Sequence, residues 1–254
     1  MAMSSSGDVP PQPLTADSPG PVSRRWLRNR WDELTFVHWR YRPDIVQALL
    51  PDGLRVDTHA GWAYVSLVPF RMTDATPHFV PAVPWISAFN ETNVRTYVVD
   101  SAGNRAIWFF SLEADRLAIV AFARWFLGFP YVWGRLTIER RASWRRYVTA
   151  RRRWPKRPAS STTVAVEIGD VITEPSGLDV FLTARWGTVT KWPAARGVLR
   201  HHPVDHQAWT LHEATLTEYA DASIEAAGLP TPSGDPIVRY AQPVDARFGR
   251  PTRV

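Results

Sequence analysis

The sequence predicts an α+β protein that is mainly β, with a few short helices in one domain. Many short segments alternate apolar and polar residues or are apolar almost throughout, which is typical of strands. Helical spacing is confined to brief stretches between these segments. Proline and glycine are scattered from residue 24 onward and no internal repeat is visible, so no linker divides the chain.

The first half of the chain supplies most of the predicted strands. Residues 31–40 alternate aromatic and polar side chains and predict the first strand. Pro43 suits a first helical turn and the apolar residues after it share one face, so a short helix is predicted over 43–50. The almost continuous apolar run at 64–68 indicates a strand covered on both faces. Strands are predicted at 55–57, 61–69, 94–99, 106–112 and 136–139.

Loops and helices are predicted where proline, glycine or helical spacing interrupts this pattern. Three prolines within residues 72–88 predict a long loop, with Trp85 and His78 available to cover a pocket. Residues 115–126 fit either a strand or a helix, and their apolar spacing favours a helix that leads into a break at Gly128. The second half predicts a strand at 163–168, a helix at 176–185, strands at 198–206 and 208–211, and a helix at 218–227 that ends at Gly228.

Composition narrows the classes of function. Hydrophobic residues make up 45% of the 254 residues and 13 are tryptophan, which fits either an aromatic-lined cavity or a filled interior. The absence of cysteine excludes disulfides, thiolate nucleophiles and cysteine-bound zinc. Residues 1–23, rich in proline and serine, predict a disordered tail rather than a signal peptide, and residues 24–254 predict a single domain. No apolar run approaches the roughly 20 residues that span a bilayer, so a soluble, cytoplasmic protein without a membrane partner is predicted.

Positive charge is concentrated in one stretch. The net charge is +6 and the isoelectric point is near 10.0, so anionic partners deserve consideration. The stretch contains Arg140, Arg141, Arg145, Arg146, Arg151, Arg152, Arg153, Lys156 and Arg157. Because no nucleic-acid-binding motif accompanies it, we predict a strand–turn–strand with a solvated outer face. Association with nucleic acid is the least favoured of three functional classes.

One polar triplet carries the strongest chemical signal. Glu91, Asn93 and Arg95 alternate, so on a strand they project from the same face. An acid, an amide and a guanidinium on one face form a wall suited to a carboxylate or carbonyl ligand. Glu91 could act as a general base if burial raises its pKa. The alternative is an ion pair of Glu91 with Arg95 or Arg124 that only holds the strands together.

The sequence gives less support for a functional histidine or a cofactor site than for the polar triplet. A lone strand histidine such as His38 is more often a hydrogen-bonded core residue than a catalyst. The cluster of His201, His202 and His206 is interrupted by Pro203 and matches no metal-binding spacing. No phosphate loop, dinucleotide fingerprint or serine-nucleophile elbow occurs. We therefore predict neither a metal nor a cofactor.

Several motifs resemble the YqjF-like family of uncharacterised bacterial proteins. They occur in order between Trp31 and Phe248 and comprise Phe-Val-His-Trp at 36–39, Leu-Pro-Asp-Gly-Leu at 50–54, Val-Pro-Phe at 68–70, Asn-Glu-Thr-Asn-Val-Arg-Thr-Tyr-Val at 90–98, Trp-Phe-Phe-Ser-Leu at 108–112 and Gly-Phe-Pro-Tyr at 128–131. That family is in turn similar to the acetoacetate decarboxylases. The resemblance implies a cone-shaped antiparallel β-barrel, and barrel relatives of this kind often assemble into homo-oligomers.

The resemblance also shows a chemical departure. Arg124 occupies the position of the decarboxylase arginine, whereas the two lysine positions hold Tyr131 and Val132, and Trp125 replaces a glutamate. Glu91 lies near the spacing of a glutamate in the decarboxylase pocket. Neither replacement can form an imine, and the chain's two lysines, Lys156 and Lys191, lie in segments that look exposed. The sequence therefore predicts no decarboxylation through a lysine imine.

The leading functional prediction is the binding of a small, partly apolar carbonyl or carboxylate compound in a barrel cavity. Lysine-independent acid–base chemistry there, such as isomerisation, dehydration or cyclisation, is a further option. The competing class is a ligand-binding or structural protein without catalysis. The predicted catalytic residues are Glu91 and Tyr131, and the predicted ligand-binding residues are Asn93, Arg95, Arg124, His38 and Trp133.

Overall fold

The computed structural model describes residues 9–81, 87–155, 158–192 and 197–254, with the backbone alone for residues 151–153. Strands dominate these ranges. They are β1 Arg25–Asp32, β2 Leu34–Tyr41, β3 Leu54–Val56, β4 Ala63–Pro77, β5 Phe89–Asp100, β6 Arg105–Ala114, β7 Tyr131–Arg141, β8 Trp144–Trp154, β9 Ser161–Val171, β10 Gly187–Trp192, β11 Val198–Asp205, β12 Leu211–Asp221, β13 Ile237–Ala241, β14 Val244–Gly249 and β15 Thr252–Arg253. The protein is mainly β, as the sequence predicts.

The helices are short and connect strands. They are α1 Pro43–Gln47, α2 Leu117–Phe122, α3 Gly177–Thr183 and α4 Ser223–Ala226, and a π-helical turn, Ala123–Leu127, continues α2. Gly128 ends that turn with φ of 77°, a left-handed conformation that glycine adopts without strain. Ser176 caps α3 by accepting from the Asp179 amide while the Asp179 side chain accepts from the Ser176 amide. No helix in the described ranges is long and apolar enough to cross a membrane.

The sheet is mixed, so the prediction of an antiparallel sheet was wrong. β7 and β10 both run parallel to β6, and the other pairs are antiparallel within the described residues. The physical reason lies in the connection between β6 and β7. Helix α2 and its π-helical turn return the chain to the last residues of β6, and β7 starts there, with Tyr131 beside Leu112, and runs on in the same direction. The helix predicted over 115–126 is this crossover.

Hydrogen-bonded pairs close the strands into two rings. The larger ring follows β6, β7, β8, β9, β12, β13, β2, β4 and β5 and returns to β6, and the smaller ring follows β1, β14, β11, β10, β6, β5 and β4 and returns to β1. The rings share β4, β5 and β6. Side chains alternate across these shared strands, so each strand contributes one face to each ring. An apolar cluster that includes Val37, Leu67, Val94, Tyr147 and Val164 packs within the larger ring.

Two sequence predictions of local structure were wrong because strand pairing extends further than local patterns indicate, and the predicted strand over 208–211 was wrong because residues 208–210 precede β12. β4 continues through the predicted loop to Pro77, since β1 pairs with its far end and matches Leu27 to Pro77. The predicted lid residue Trp85 lies outside the described residues. β12 continues to Asp221 and takes up the first four residues of the helix predicted over 218–227, because β9 pairs with it as far as Asp221. Only Ser223–Ala226 is helical there.

The arginine-rich stretch forms the hairpin of β7 and β8, and several of its charges are paired. Arg140 and Arg145 contact Glu33, and Arg146 contacts Glu139 and Glu218. The side chains of residues 151–153 and both Lys156 and Arg157 lie outside the described part of the chain. These ion pairs place acidic groups along the basic face.

Part of the segment predicted as a tail contacts the sheet. The Gln12 amide donates to the Gly103 carbonyl at 2.9 Å, and the Trp186 indole donates to the Thr15 carbonyl at 3.2 Å. Further along, the Val22 amide donates to Asp205 Oδ2 at 2.6 Å. The boundary at residue 23 stays a prediction.

Candidate functional site

A cavity of about 440 Å³ lies within the smaller ring and is flanked by α2. Its volume is in the range that holds small-molecule ligands. Exposed Arg28 and Phe122 lie on its wall and mark its opening. Most of the wall is apolar and aromatic, formed by side chains that include Trp31, Phe36, Phe70, Phe89, Phe109, Phe129, Trp209 and Phe248. A ligand with a substantial apolar part fits this lining.

The predicted polar triplet lies together on the cavity wall. Glu91, Asn93 and Arg95 project from the face of β5 that belongs to the smaller ring. Val94, between them, packs in the larger ring's cluster. Glu91 is only 3% exposed and Arg95 only 7%, because β4 and β6 flank β5 on both edges. Because side chains alternate along a strand, an acid, an amide and a guanidinium all lie on the cavity side of β5.

Glu91 and Tyr131 form a hydrogen-bonded pair. Tyr131 Oη donates to Glu91 Oε2 at 2.5 Å, and Asn93 Nδ2 donates to Oε1 at 3.2 Å. Burial raises the pKa of Glu91 to about 7, against the lowering effect of these two hydrogen bonds. Burial also raises the pKa of Tyr131. No arginine in the described ranges forms an ion pair with Glu91, and a pKa of about 7 lets its carboxyl lose or take up a proton near neutral pH.

Arg95 is a buried cation that forms no ion pair with an acidic side chain in the described part of the chain. Its guanidinium lies 5.2 Å from the ring centre of Phe36 and 5.9 Å from that of Tyr97. Among the described residues no carboxylate pairs with it, and its Nε has no hydrogen-bond partner. Cation–π contacts compensate for only part of the cost of burying a charge. The guanidinium is therefore available to an anion inside the cavity.

Arg185 is a further cavity residue, which no sequence pattern predicts. Unlike Arg95, it forms an ion pair with an acidic side chain. Its Nη2 donates to Asp57 Oδ2 at 3.0 Å, and Arg105 contacts the same carboxylate. Burial lowers the pKa of Arg185 to about 10, so it stays charged at neutral pH. The pair joins residues far apart in the chain, and nothing in the local sequence indicates it. Arg185 is the cavity's second buried cation, already paired with an acid.

Several buried polar atoms on the cavity wall have no hydrogen-bond partner among the described residues. They are Asn29 Oδ1, Trp31 Nε1, Asn93 Oδ1, Arg95 Nε, Arg185 Nε and Thr188 Oγ1. Each such group costs about 1–3 kcal/mol unless water or a ligand satisfies it. The wall thus offers donors and acceptors to a polar ligand.

The histidine cluster divides between the cavity and the protein body. His202 and His206 line the cavity, and burial lowers their pKa values to about 3 and about 4. Both are therefore neutral at pH 7. His201 lies outside the cavity lining, with its ring against Gly187. No group of three or more acidic or histidine side chains in the described ranges is placed to hold a metal ion.

Three predicted ligand-binding residues do not line the cavity. His38 lies in the core, where Nδ1 is 2.6 Å from Ser66 Oγ, and burial lowers its pKa. Arg124 faces a separate surface depression because the π-helical turn directs it outward, and its Nη1 donates to the Tyr131 carbonyl at 2.7 Å. Trp133 packs against the apolar cluster around Leu112.

An imine with a ligand would require a lysine in the cavity, either at the two lysine positions of the decarboxylases or elsewhere in the chain. Tyr131 and Val132 begin β7, and the Tyr131 side chain enters the cavity. Lys191 is exposed on β10 and lines the same surface depression as Arg124. Lys156 lies outside the described residues. No described cavity residue carries a primary amine.

The fold of this chain is similar to that of acetoacetate-decarboxylase-like proteins. The enduracididine biosynthesis enzyme MppR complexed with pyruvate is similar at a TM-score of 0.64, with 14% identity and coverage of 91% of each chain. An acetoacetate decarboxylase-like enzyme from Sphingomonas wittichii RW1 gives 0.63, with 18% identity over 91% of this chain and 94% of that one. Acetoacetate decarboxylase from Legionella pneumophila gives 0.55, with 15% identity over 93% and 92%. At these identities the likeness establishes the fold alone.

Sequence comparison gives the family. The DUF2071 family, described as an uncharacterized conserved protein, matches residues 28–245. The "Uncharacterized protein YqjF" of Bacillus subtilis (strain 168) is 32% identical over 222 residues, which cover 87% of this chain and 90% of that protein. The chain belongs to the DUF2071 family, as the motifs predict.

Proposed function

We propose that this protein binds a small, partly apolar carboxylic acid in the cavity, with the carboxylate on Arg95. The observation that carries the proposal is the buried Arg95 guanidinium, which forms no ion pair with any acidic side chain of the described residues. A buried charge is costly unless it is paired, and a carboxylate fits a guanidinium in bidentate geometry. The aromatic wall accounts for the apolar part of the ligand.

Two further features support an acid rather than another anion or a cation. The cavity is too apolar to hydrate a highly charged ligand, and Arg185 adds positive potential next to Arg95. One relative of the same fold, MppR, is complexed with pyruvate, itself a small carboxylate. That ligand belongs to MppR, and its chemical class agrees with the one proposed here.

The proposal predicts that an acid binds more tightly than the amide of the same shape. In calorimetric titrations at pH 7, 3-phenylpropanoate is expected to bind at least about tenfold more tightly than 3-phenylpropanamide, because a hydrogen bond to a charged group contributes about 1.5–3 kcal/mol. The preference should disappear in Arg95→Gln. It should persist in Arg40→Gln, which removes an exposed arginine from β2. Equal affinity of wild type for acid and amide would contradict the proposal.

Acid–base chemistry on the bound acid is a second candidate, favoured by Glu91. Its pKa of about 7 is close to the best value for a general base at neutral pH. Glu91 would remove a proton from the carbon next to a ligand carbonyl, leaving the electron pair on the carbonyl oxygen, and would return the proton in the reverse step. Tyr131 would hold the carboxylate in place through its hydrogen bond.

This second candidate predicts hydrogen exchange in a 2-oxo acid. Wild type in D₂O is expected to speed deuterium incorporation at C3 of phenylpyruvate, followed by proton NMR. Glu91→Gln should lose at least about 100-fold of that acceleration, the usual contribution of a general base. Glu139→Gln, on the exposed hairpin, serves as the matched control. Exchange at the uncatalysed rate with wild type would leave the protein a non-catalytic binder.

The proposal also includes the barrel shape, the cellular location and the assembly that the sequence predicts. The two closed rings of strand pairs support a cone-shaped barrel around the cavity. A cytoplasmic location and an assembly of several copies stay predictions. A nucleic-acid-associated role is less favoured, because Glu33, Glu139 and Glu218 pair with arginines of the basic hairpin.

A further inference from the structure

A second polar pair lies on the cavity wall away from Arg95. We propose that the bound acid carries a hydroxyl group, on an aromatic ring, that is recognised by Thr188 and His202. This inference rests on the proposed binding of a carboxylic acid and adds the chemical class of its other end. Thr188 and His202 face each other directly in the β10–β11 pair and both line the cavity.

Both side chains are buried and have unused hydrogen-bonding capacity. Thr188 is 5% exposed and His202 is 2% exposed. Thr188 Oγ1 has no hydrogen-bond partner among the described residues. Opposed residues of an antiparallel pair have Cβ atoms about 5 Å apart, so one ligand group can reach both.

The neighbouring Thr190 fixes the tautomer of His202. Thr190 Oγ1 lies 2.9 Å from the Leu127 carbonyl oxygen and 2.9 Å from His202 Nε2. The carbonyl oxygen can only accept, so the hydroxyl proton points to Leu127 and Nε2–H of His202 donates to Thr190. In the neutral ring Nδ1 is then an acceptor. Burial lowers the pKa of His202 to about 3, so this tautomer persists at neutral pH.

A hydroxyl group fits this pair better than the other common polar groups. It donates to His202 Nδ1 while it accepts from the Thr188 hydroxyl. A second carboxylate has no proton for Nδ1 at neutral pH. An ammonium group would add positive charge to a cavity that already contains Arg95 and Arg185.

The wall between the two polar ends is aromatic. The Phe129 ring centre lies 5.2 Å from that of His202 and 6.3 Å from that of Tyr131, which hydrogen-bonds to Glu91. Its ring centre also lies 6.0 Å from that of Phe109, the β6 residue paired with Arg95, so aromatic side chains line the wall from Arg95 to His202. An aromatic ring packs well at such a position. The geometry points to a hydroxyaryl carboxylic acid.

The test compares ligands that differ at the ring hydroxyl. Calorimetry at pH 7 would use 3-phenylpropanoate and three ring-substituted derivatives. These are 3-(3-hydroxyphenyl)propanoate, 3-(4-hydroxyphenyl)propanoate and 3-(4-methoxyphenyl)propanoate. At least one hydroxy acid is expected to bind wild type about tenfold more tightly than 3-phenylpropanoate, because binding the unsubstituted acid leaves buried polar groups unsatisfied. The methoxy acid, which cannot donate a hydrogen bond, should show no gain.

Matched variants assign the effect to the pair. Thr188→Val and His202→Phe are expected to abolish the hydroxyl preference, so that each variant binds the hydroxy acid no more tightly than it binds 3-phenylpropanoate. Thr188→Val exchanges only a hydroxyl that has no described partner, so it keeps the test valid if His202→Phe fails to fold. Thr92→Val changes a buried threonine that does not line the cavity and should keep the preference.

Failure of this inference can be told apart from failure of the proposed function. No hydroxyl preference in wild type, or a preference retained in Thr188→Val, would overturn the assignment of Thr188 and His202 alone. If 3-phenylpropanoate binds no better than its amide, the role of Arg95 fails as well.

Discussion

Glu91→Gln is expected to remove about 3 kcal/mol of pH dependence from the free energy of unfolding. Burial holds the pKa of Glu91 at about 7 in the folded protein, against a usual value of 4.5. Each pKa unit corresponds to about 1.4 kcal/mol, so the difference amounts to about 3 kcal/mol. Glutamine keeps the size of the side chain and cannot ionise.

The direction of this pH dependence follows from the pH at which the Glu91 carboxyl loses its proton in the folded and in the unfolded protein. Below pH 4.5 the carboxyl is protonated in both the folded and the unfolded protein, and its stabilising contribution is complete. Between pH 4.5 and about 7 the unfolded state has lost the proton while the folded state keeps it, so stability falls as pH rises. Above about pH 7 both states are ionised and the loss is complete.

Urea unfolding of both proteins between pH 4 and pH 8 measures this effect. The stability of Glu91→Gln relative to wild type should increase by about 3 kcal/mol across that range. Glu139→Gln corrects for the loss of an exposed carboxylate. A stability difference that does not change with pH would show that Glu91 is not held in a desolvated site.

Two buried arginines of the cavity are expected to respond to mutation with opposite signs. Arg185→Met should lower the free energy of unfolding by about 3 kcal/mol, because it breaks a buried pair with Asp57. Arg95→Met should raise it by about 1 kcal/mol, because it removes a buried charge that forms no ion pair within the described ranges. The loss of the contacts with Phe36 and Tyr97 limits that gain.

Denaturant unfolding without ligand at pH 6, where Glu91 is largely protonated, checks both values. If Arg95→Met raises the free energy of unfolding, Arg95 is a residue that serves ligand binding and lowers the stability of the folded protein. If Arg95→Met destabilises the protein as much as Arg185→Met, Arg95 has a structural partner and is not reserved for a ligand.

The local part of the site could be predicted from the sequence. Glu91, Asn93 and Arg95 share a face because strand alternation depends only on the spacing of residues in one segment. Tyr131 was predicted from the position of the lost lysine, and its hydrogen bond to Glu91 joins two segments 40 residues apart.

The rest depends on pairings that no local pattern contains. Parallel β6 and β7 follow from the crossover through α2, and the extension of β4 depends on β1 pairing with it. Arg124 was placed in the pocket by position in a motif, whereas the π-helical turn directs it outward. Arg185 meets Asp57 across 128 residues of sequence, and Thr188 faces His202 only through the register of the β10–β11 pair.

A crystal structure with 3-(4-bromophenyl)propanoate tests the central claim most directly, because the bromine marks the ring and the map locates the carboxylate. We expect carboxylate oxygens about 2.8 Å from the Arg95 guanidinium, as in charge-assisted hydrogen bonds, and the bromine near Phe129. A carboxylate bound to Arg28 at the opening, or bromine outside the cavity, would contradict the account.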